Sequence, residues 1–188
     1  MKEKIIKFLD KFFDAEVDAF MSRRMPDIDE FNKRLEKMNS FISVSLENRF
    51  GLIPQTKLMV DDFYERAQKA PPCKKRFLFR IDEFDTKNGE KLFKCFVSGS
   101  NPRLKTVFNL FIIKVIDGEL KIITKFSLSD NGMGSGYLWY SGGGDENYEH
   151  KVNGESLINP EAFDIKVSEY RILEPENETE EMLIYNQE

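Results

Sequence analysis

At Pro71 and Pro72 the spacing of apolar residues along this chain changes from threes and fours to twos. Two adjacent prolines cannot continue a helix, because each lacks a backbone N–H and crowds the preceding turn. The chain before them is therefore read with a helical period, and the chain after them with the period of a strand. Helices first and a sheet afterwards, in 188 residues with no internal repeat, define an α+β domain with helices packed on one side of a curved antiparallel sheet.

In the first part, Ile5, Ile6, Leu9, Phe12, Phe13, Val17 and Phe20 put one apolar face on a helix over residues 3–22. A second helix is predicted from Pro26 to about residue 50. Pro26 suits a first helical turn, Asp27, Asp29 and Glu30 suit its dipole, and Ile28, Phe31, Leu35, Met38 and Ile42 carry the period up to Gly51. These two form an antiparallel pair. A shorter helix over 57–69 is predicted from Leu58, Phe63 and Ala67.

In the second part, residues 74–85 and 90–99 are strands separated by "TKNG", whose Asn88-Gly89 pair accepts positive φ and marks a hairpin. "LKTVFNLFIIKVI" and "ELKIITKFSLS" are joined in the same way through Asp117-Gly118. The result is a four-stranded meander. Both alternating sets of the third strand are apolar, Val107, Phe111, Ile113 and Val115 in one and Phe108, Leu110, Ile112 and Ile116 in the other, so it is central and covered on both faces for part of its length. In the fourth strand Leu120, Ile122, Phe126 and Leu128 alternate with Lys121, Lys125 and Ser127, which reads as one face inward and one wet. Residues 1–150 are assigned to a single α+β domain. Residues 151–188 form an acidic extension whose edge strands pack on that domain.

Composition narrows the function classes. The longest apolar run, "LFII" at 110–113, cannot span a bilayer, and Asp10, Asp14, Glu16 and Asp18 interrupt any signal-peptide core at the N-terminus. A cytoplasmic protein with no membrane partner is expected. Cys73 and Cys95 stand in no CxxC or Cys/His grouping, so neither a disulfide framework nor zinc is expected. Basic and acidic residues number 13 and 13 over 1–70, 12 and 6 over 71–128, and 3 and 14 over 129–188. That acidic end would repel nucleic acid and attract a basic partner.

The segment "GYLWYSGGGDENYEH", residues 136–150, holds the only tryptophan and the only histidine. Its glycines precede neither a Walker lysine nor a dinucleotide spacing, and "DENYEH" would set carboxylates where phosphates should lie. Asp145, Glu146 and Glu149 offer oxygen donors for calcium but lack the EF-hand frame, so no metal and no cofactor is assigned. His150 stands between Glu149 and Lys151 with no apolar surround, and Ser141 has no GxSxG frame, so no catalytic residue is assigned there. Inward polar candidates on the strands are few: Asn109, Thr124, and Asp82 or Glu83 according to register. What remains is recognition by a mobile loop. Tyr137, Trp139, Tyr140 and Tyr148 are rings of the kind that dominate binding hot spots, and Asp145, Glu146 and Glu149 complement a basic protein.

Two long helices, a short third one and an apolar meander resemble the nuclear-transport-factor-2-like cone fold. The run from Arg80 to Leu128, "RIDEFDTKNGEKLFKCFVSGSNP…FNLFIIKVIDGELKIITKFSL", is similar to the immunity proteins of bacterial polymorphic toxin systems that have this fold. The resemblance implies a non-enzymatic protein that binds and neutralises a cognate toxin domain, and an exposed sheet face in such a fold would suit a homodimer. The same cone also hosts small-molecule enzymes and ligand binders that use its cavity. Two titratable groups facing each other inside would favour that alternative.

Overall fold

The structure, a computed structural model, describes residues 1–24, 27–43, 68–69, 72–86, 89–98, 108–130, 137–141, 151–152 and 155–156. It is α+β. Helix α1 (Lys2–Ser22) buries Ile5, Leu9, Phe12 and Phe13 of the predicted stripe together with Ala15 and Ala19, while Ile6, Val17 and Phe20 are half-buried. Helix α2 (Ile28–Asn39) starts at Asp27, whose Oδ1 accepts hydrogen bonds from the backbone N–H groups of Asp29 and Glu30 at 3.0 Å each. Two of the four donors that every helix start leaves open are thereby satisfied. Phe31, near the start of α2, lies 6.0 Å from the guanidinium of Arg23 just past α1, while Phe41 meets Phe8 and Phe12 in the first half of α1. The two helices therefore run antiparallel.

The second helix is shorter than its sequence period indicates. It ends at Asn39, the chain tightens through the Phe41 N–H to Met38 C=O bond, and Ile42 forms a parallel bridge to Ile122 instead of another helical turn. Ile122 donates its N–H to the carbonyl of Phe41 at 2.9 Å and accepts from the N–H of Ser43 at 3.0 Å. A sheet edge thus supplies what the next helical turn would have supplied, and a β-branched residue suits it better. Residues 44–50 and most of the predicted 57–69 helix lie outside the described residues; Gln68 and Lys69 are helical.

Among the described residues the sheet has five antiparallel strands in the order β1 (Leu78–Asp85), β2 (Lys91–Ser98), β3 (Phe108–Ile116), β4 (Glu119–Asp130) and β5 (Tyr137–Ser141). The strand expected from residue 74 starts at Leu78, and residues 74–77 run up to it, with the Phe77 carbonyl accepting from the Ser98 N–H at 2.9 Å. At the first hairpin Gly89 has φ 77° and donates to the carbonyl of Thr86, while the Thr86 hydroxyl accepts from the Glu90 N–H at 3.0 Å. At the second, Asp117 (φ 51°) and Gly118 (φ 84°) form the two-residue turn between the paired residues Ile116 and Glu119. A small separate hairpin, β6 (Lys151–Val152) with β7 (Glu155–Ser156), was not legible in the sequence.

Register organises the core. Ile81, Cys95, Phe111 and Lys125 make one row across β1 to β4, and Arg80, Phe96, Leu110 and Phe126 make the next row on the opposite face. The ring of Phe111 stands edge-on to Phe12 at 5.7 Å and tilted to Phe13 at 6.4 Å, so the first row faces α1. On the other face Phe96, Leu110 and Phe126 are also fully buried. Strand β3 is therefore central and covered on both sides over residues 109–113, as its two apolar sets indicate.

The simple alternation expected for β4 does not hold. Ile112 pairs with Thr124 and Ile113 with Ile122, so Ile123 is an extra residue in a bulge. Ile122 consequently shares the face of Lys125, not that of Phe126. Lys125 itself is only partly exposed, because the face taken to be wet is the one that α1 covers.

Candidate functional site

Strand β5 is built from "YLWYS", an aromatic run with high strand preference. Among the described residues it is the last strand of the sheet, and it pairs with the second half of β4, Trp139 opposite Leu128, Tyr140 opposite Ser127 and Tyr137 opposite Asp130. The expectation of a loop from residue 136 is corrected here: Tyr137, Trp139 and Tyr140 belong to a hydrogen-bonded strand, with Tyr137 and Trp139 in one alternate set and Tyr140 in the other. Asp145, Glu146, Tyr148, Glu149 and His150 lie outside the described residues, as do the neighbouring glycines. Along its outer side β4 is thus shared, its first half by Ile42 in parallel and its second half by β5 in antiparallel.

The inward polar candidates do not converge. Asn109 shares the face of Phe111, whereas Thr124 pairs with Ile112 on the opposite face; both are buried. Asp82 lies 2.9 Å from Arg80, and Glu83 accepts from the ammonium of Lys91 at 3.0 Å on the surface. Cys95 is fully buried, and burial pushes its thiol well above the ordinary range, so it is an inert core residue. Among the described residues no group of histidine, cysteine, aspartate and glutamate side chains could hold a metal.

A different cluster emerges between α1 and the sheet. Glu16 lies three and four positions after Phe13 and Phe12, on the apolar stripe of α1, and is buried with it. Arg76, in the extended segment before β1, meets it through two parallel bonds: Nε donates to Oε2 at 2.6 Å and Nη2 to Oε1 at 2.9 Å. Nη1 donates to the carbonyl of Ser98 at the end of β2 at 2.9 Å, and the Ser98 hydroxyl accepts from the N–H of Phe77 at 3.0 Å. Both charged side chains are about 95% shielded from water, at 4% and 5% exposure. This fork geometry gives each carboxylate oxygen a charged donor, without which so deep a pair would not be tolerated.

The guanidinium carbon of Arg76 also stands 5.5 Å from the centre of the Phe111 ring. Lys125 is the ladder partner of Phe111 and shares its face of the sheet. Its ammonium is destabilised chiefly by burial and next by the charge of Arg76, partly offset by Glu16, and the amine is pulled down to about 8. The described part of the cluster holds one carboxylate, one permanent cation and one amine whose proton is lost at about 8. Such a set can orient a small anion or present an uncharged amine.

Glu16 was detectable in the sequence as a charge on an apolar stripe. Arg76 and Lys125 gave no comparable signal.

In comparisons with known proteins, no family model, no curated protein sequence and no solved structure matches this chain.

Proposed function

We propose that the chain is a non-enzymatic immunity protein of the nuclear-transport-factor-2-like cone type, which binds and neutralises a cognate toxin domain in the cytoplasm. The observation that carries this reading is the position of β5. An aromatic strand that ends the sheet among the described residues, followed after three glycines by Asp145, Glu146 and Glu149, combines anchor rings with charges that suit a basic partner. The excess of 14 acidic over 3 basic residues beyond position 128 adds a long-range attraction of the same sign. No helix among the described residues is long and apolar enough to cross a membrane.

The test is co-expression with the toxic domain that this reading expects to be encoded beside it. Rescue of growth and a stable complex are expected; failure of both removes the reading. Within the complex, Trp139→Ala and Asp145→Ala should each weaken binding by about 2 kcal/mol or more if these residues are central anchors, measured by calorimetry.

The buried Glu16–Arg76 pair, with Lys125 on the same face of the sheet, favours a second reading, a small-molecule enzyme or ligand-binding protein that uses the cavity of the cone. Facing titratable groups inside the fold are the feature that distinguishes it from a purely apolar core.

A further inference from the structure

We propose that Lys94 and Arg80 form a binding site for a small carboxylate on the face of the sheet opposite to α1. The site is independent of both readings above, and its failure would leave them standing. Across β1 and β2, Arg80 pairs with Phe96 and Asp82 with Lys94, so Arg80 and Lys94 are diagonal neighbours on one face. Each cation stands against a ring of that face. The Arg80 guanidinium carbon is 4.1 Å from the centre of Phe96, and the Lys94 ammonium is 5.6 Å from that of Phe84. A ring attracts a cation but leaves its N–H donors without an oxygen acceptor.

The other cations of this face have carboxylates. Among the described residues Lys114 meets Glu90 at 2.7 Å and Lys121 meets Glu119 at 2.9 Å. Lys94 meets none, although at 7% exposure it is the most deeply buried of them. Its ladder partner Asp82 lies at Arg80 instead, with Oδ2 2.9 Å from Nε. The Nε–H is buried and not directed at that oxygen, so the contact is ionic without a hydrogen bond. A buried ammonium and a buried guanidinium N–H that lack acceptors are both costly, and one bound carboxylate supplies an oxygen to each. Four cations here meet three carboxylates, so one negative charge completes the face and a monoanion fits it. The way in lies along β1, where the side chains of Arg80 and Asp82 are 26% and 34% exposed.

The test titrates the full-length, nitrogen-15-labelled protein with sodium acetate, and in parallel with sodium chloride, at constant ionic strength and pH 7.5, following backbone amide shifts by NMR. Acetate should move the amides of Asp82, Lys94 and their ladder neighbours along saturable curves, and chloride should move them little. Lys94→Met should weaken the apparent affinity at least about tenfold, the effect of losing a charged hydrogen bond. Arg80→Gln, a change at a partly exposed position, should weaken it several-fold, so the prediction stands even if Lys94→Met does not fold. Asp82→Asn removes the competing carboxylate and should tighten binding several-fold. Equal shifts with chloride, an absence of saturation, or an affinity unchanged in Arg80→Gln and Lys94→Met would each overturn the proposal.

Discussion

Glu16 and Arg76 neutralise each other's charge inside the fold, and this makes their removal asymmetric. Arg76→Met strands a buried carboxylate and should cost about 3–5 kcal/mol in urea denaturation. The double replacement Glu16→Met with Arg76→Met leaves no stranded charge and should lie within about 2 kcal/mol of the wild type. Lys125 works in the opposite sense. Its amine titrates at about 8 in the fold and near 10.5 when the chain is unfolded, so between these values the unfolded state binds the extra proton. Stability from this group therefore rises as pH increases from 8 to 10.5, and its cost is greatest below 8. Lys125→Met should stabilise the protein at pH 7 by about 1–3 kcal/mol and flatten that rise, as denaturation at pH 7, 8 and 9.5 would reveal. At this scale the sequence was partly legible. A glutamate on an apolar stripe announces a buried charge, but Arg76 sits in "KKR" with nothing to separate it from its neighbours, and Lys125 alternates like a solvated residue. Only tertiary packing decides which of those cations leaves water.

Among the elements, turn and cap chemistry read directly from the residues, and ladder irregularities did not. Asp117-Gly118 adopts the two positive φ angles that the dipeptide announces, and Asp27 caps α2. Asp27→Ala removes the acceptor for two backbone N–H groups and should lower stability by about 1 kcal/mol, while Asp27→Asn should lose much less; thermal denaturation of the pair distinguishes a cap from a simple charge effect. The end of α2 misled because Ile42 continues the helical spacing. What stops the helix is the backbone of Ile122, far along the chain, which no local pattern encodes. The bulges at Phe79 and Ile123 were equally silent, since an extra residue within an apolar run leaves the composition unchanged. Strand β5 carried the right residues, but five of them flanked by glycine-rich sequence look like a loop until the ladder with β4 is seen.

For the molecule as a whole, the change of period at the paired prolines separated helices from sheet correctly, and the order of the meander followed from its hairpin signals. The two candidate sites fall on opposite flanks of one strand's duties: β4 pairs with the aromatic strand through its second half and offers Lys125 to α1 from its middle. One contact described above also bears on how the molecule assembles in time. The bridge from Ile42 to Ile122 joins positions eighty residues apart, whereas the β3–β4 hairpin closes over two. Chain closure over the longer span loses more entropy, so the hairpin belongs to the folding nucleus and the docking of the helical pair to the far side of the barrier. Gly118→Ala, which strains the tight turn, should slow refolding, and Ile42→Ala should leave refolding nearly unchanged while accelerating unfolding. Stopped-flow chevrons of the two variants would tell whether the helices clamp a sheet that is already formed.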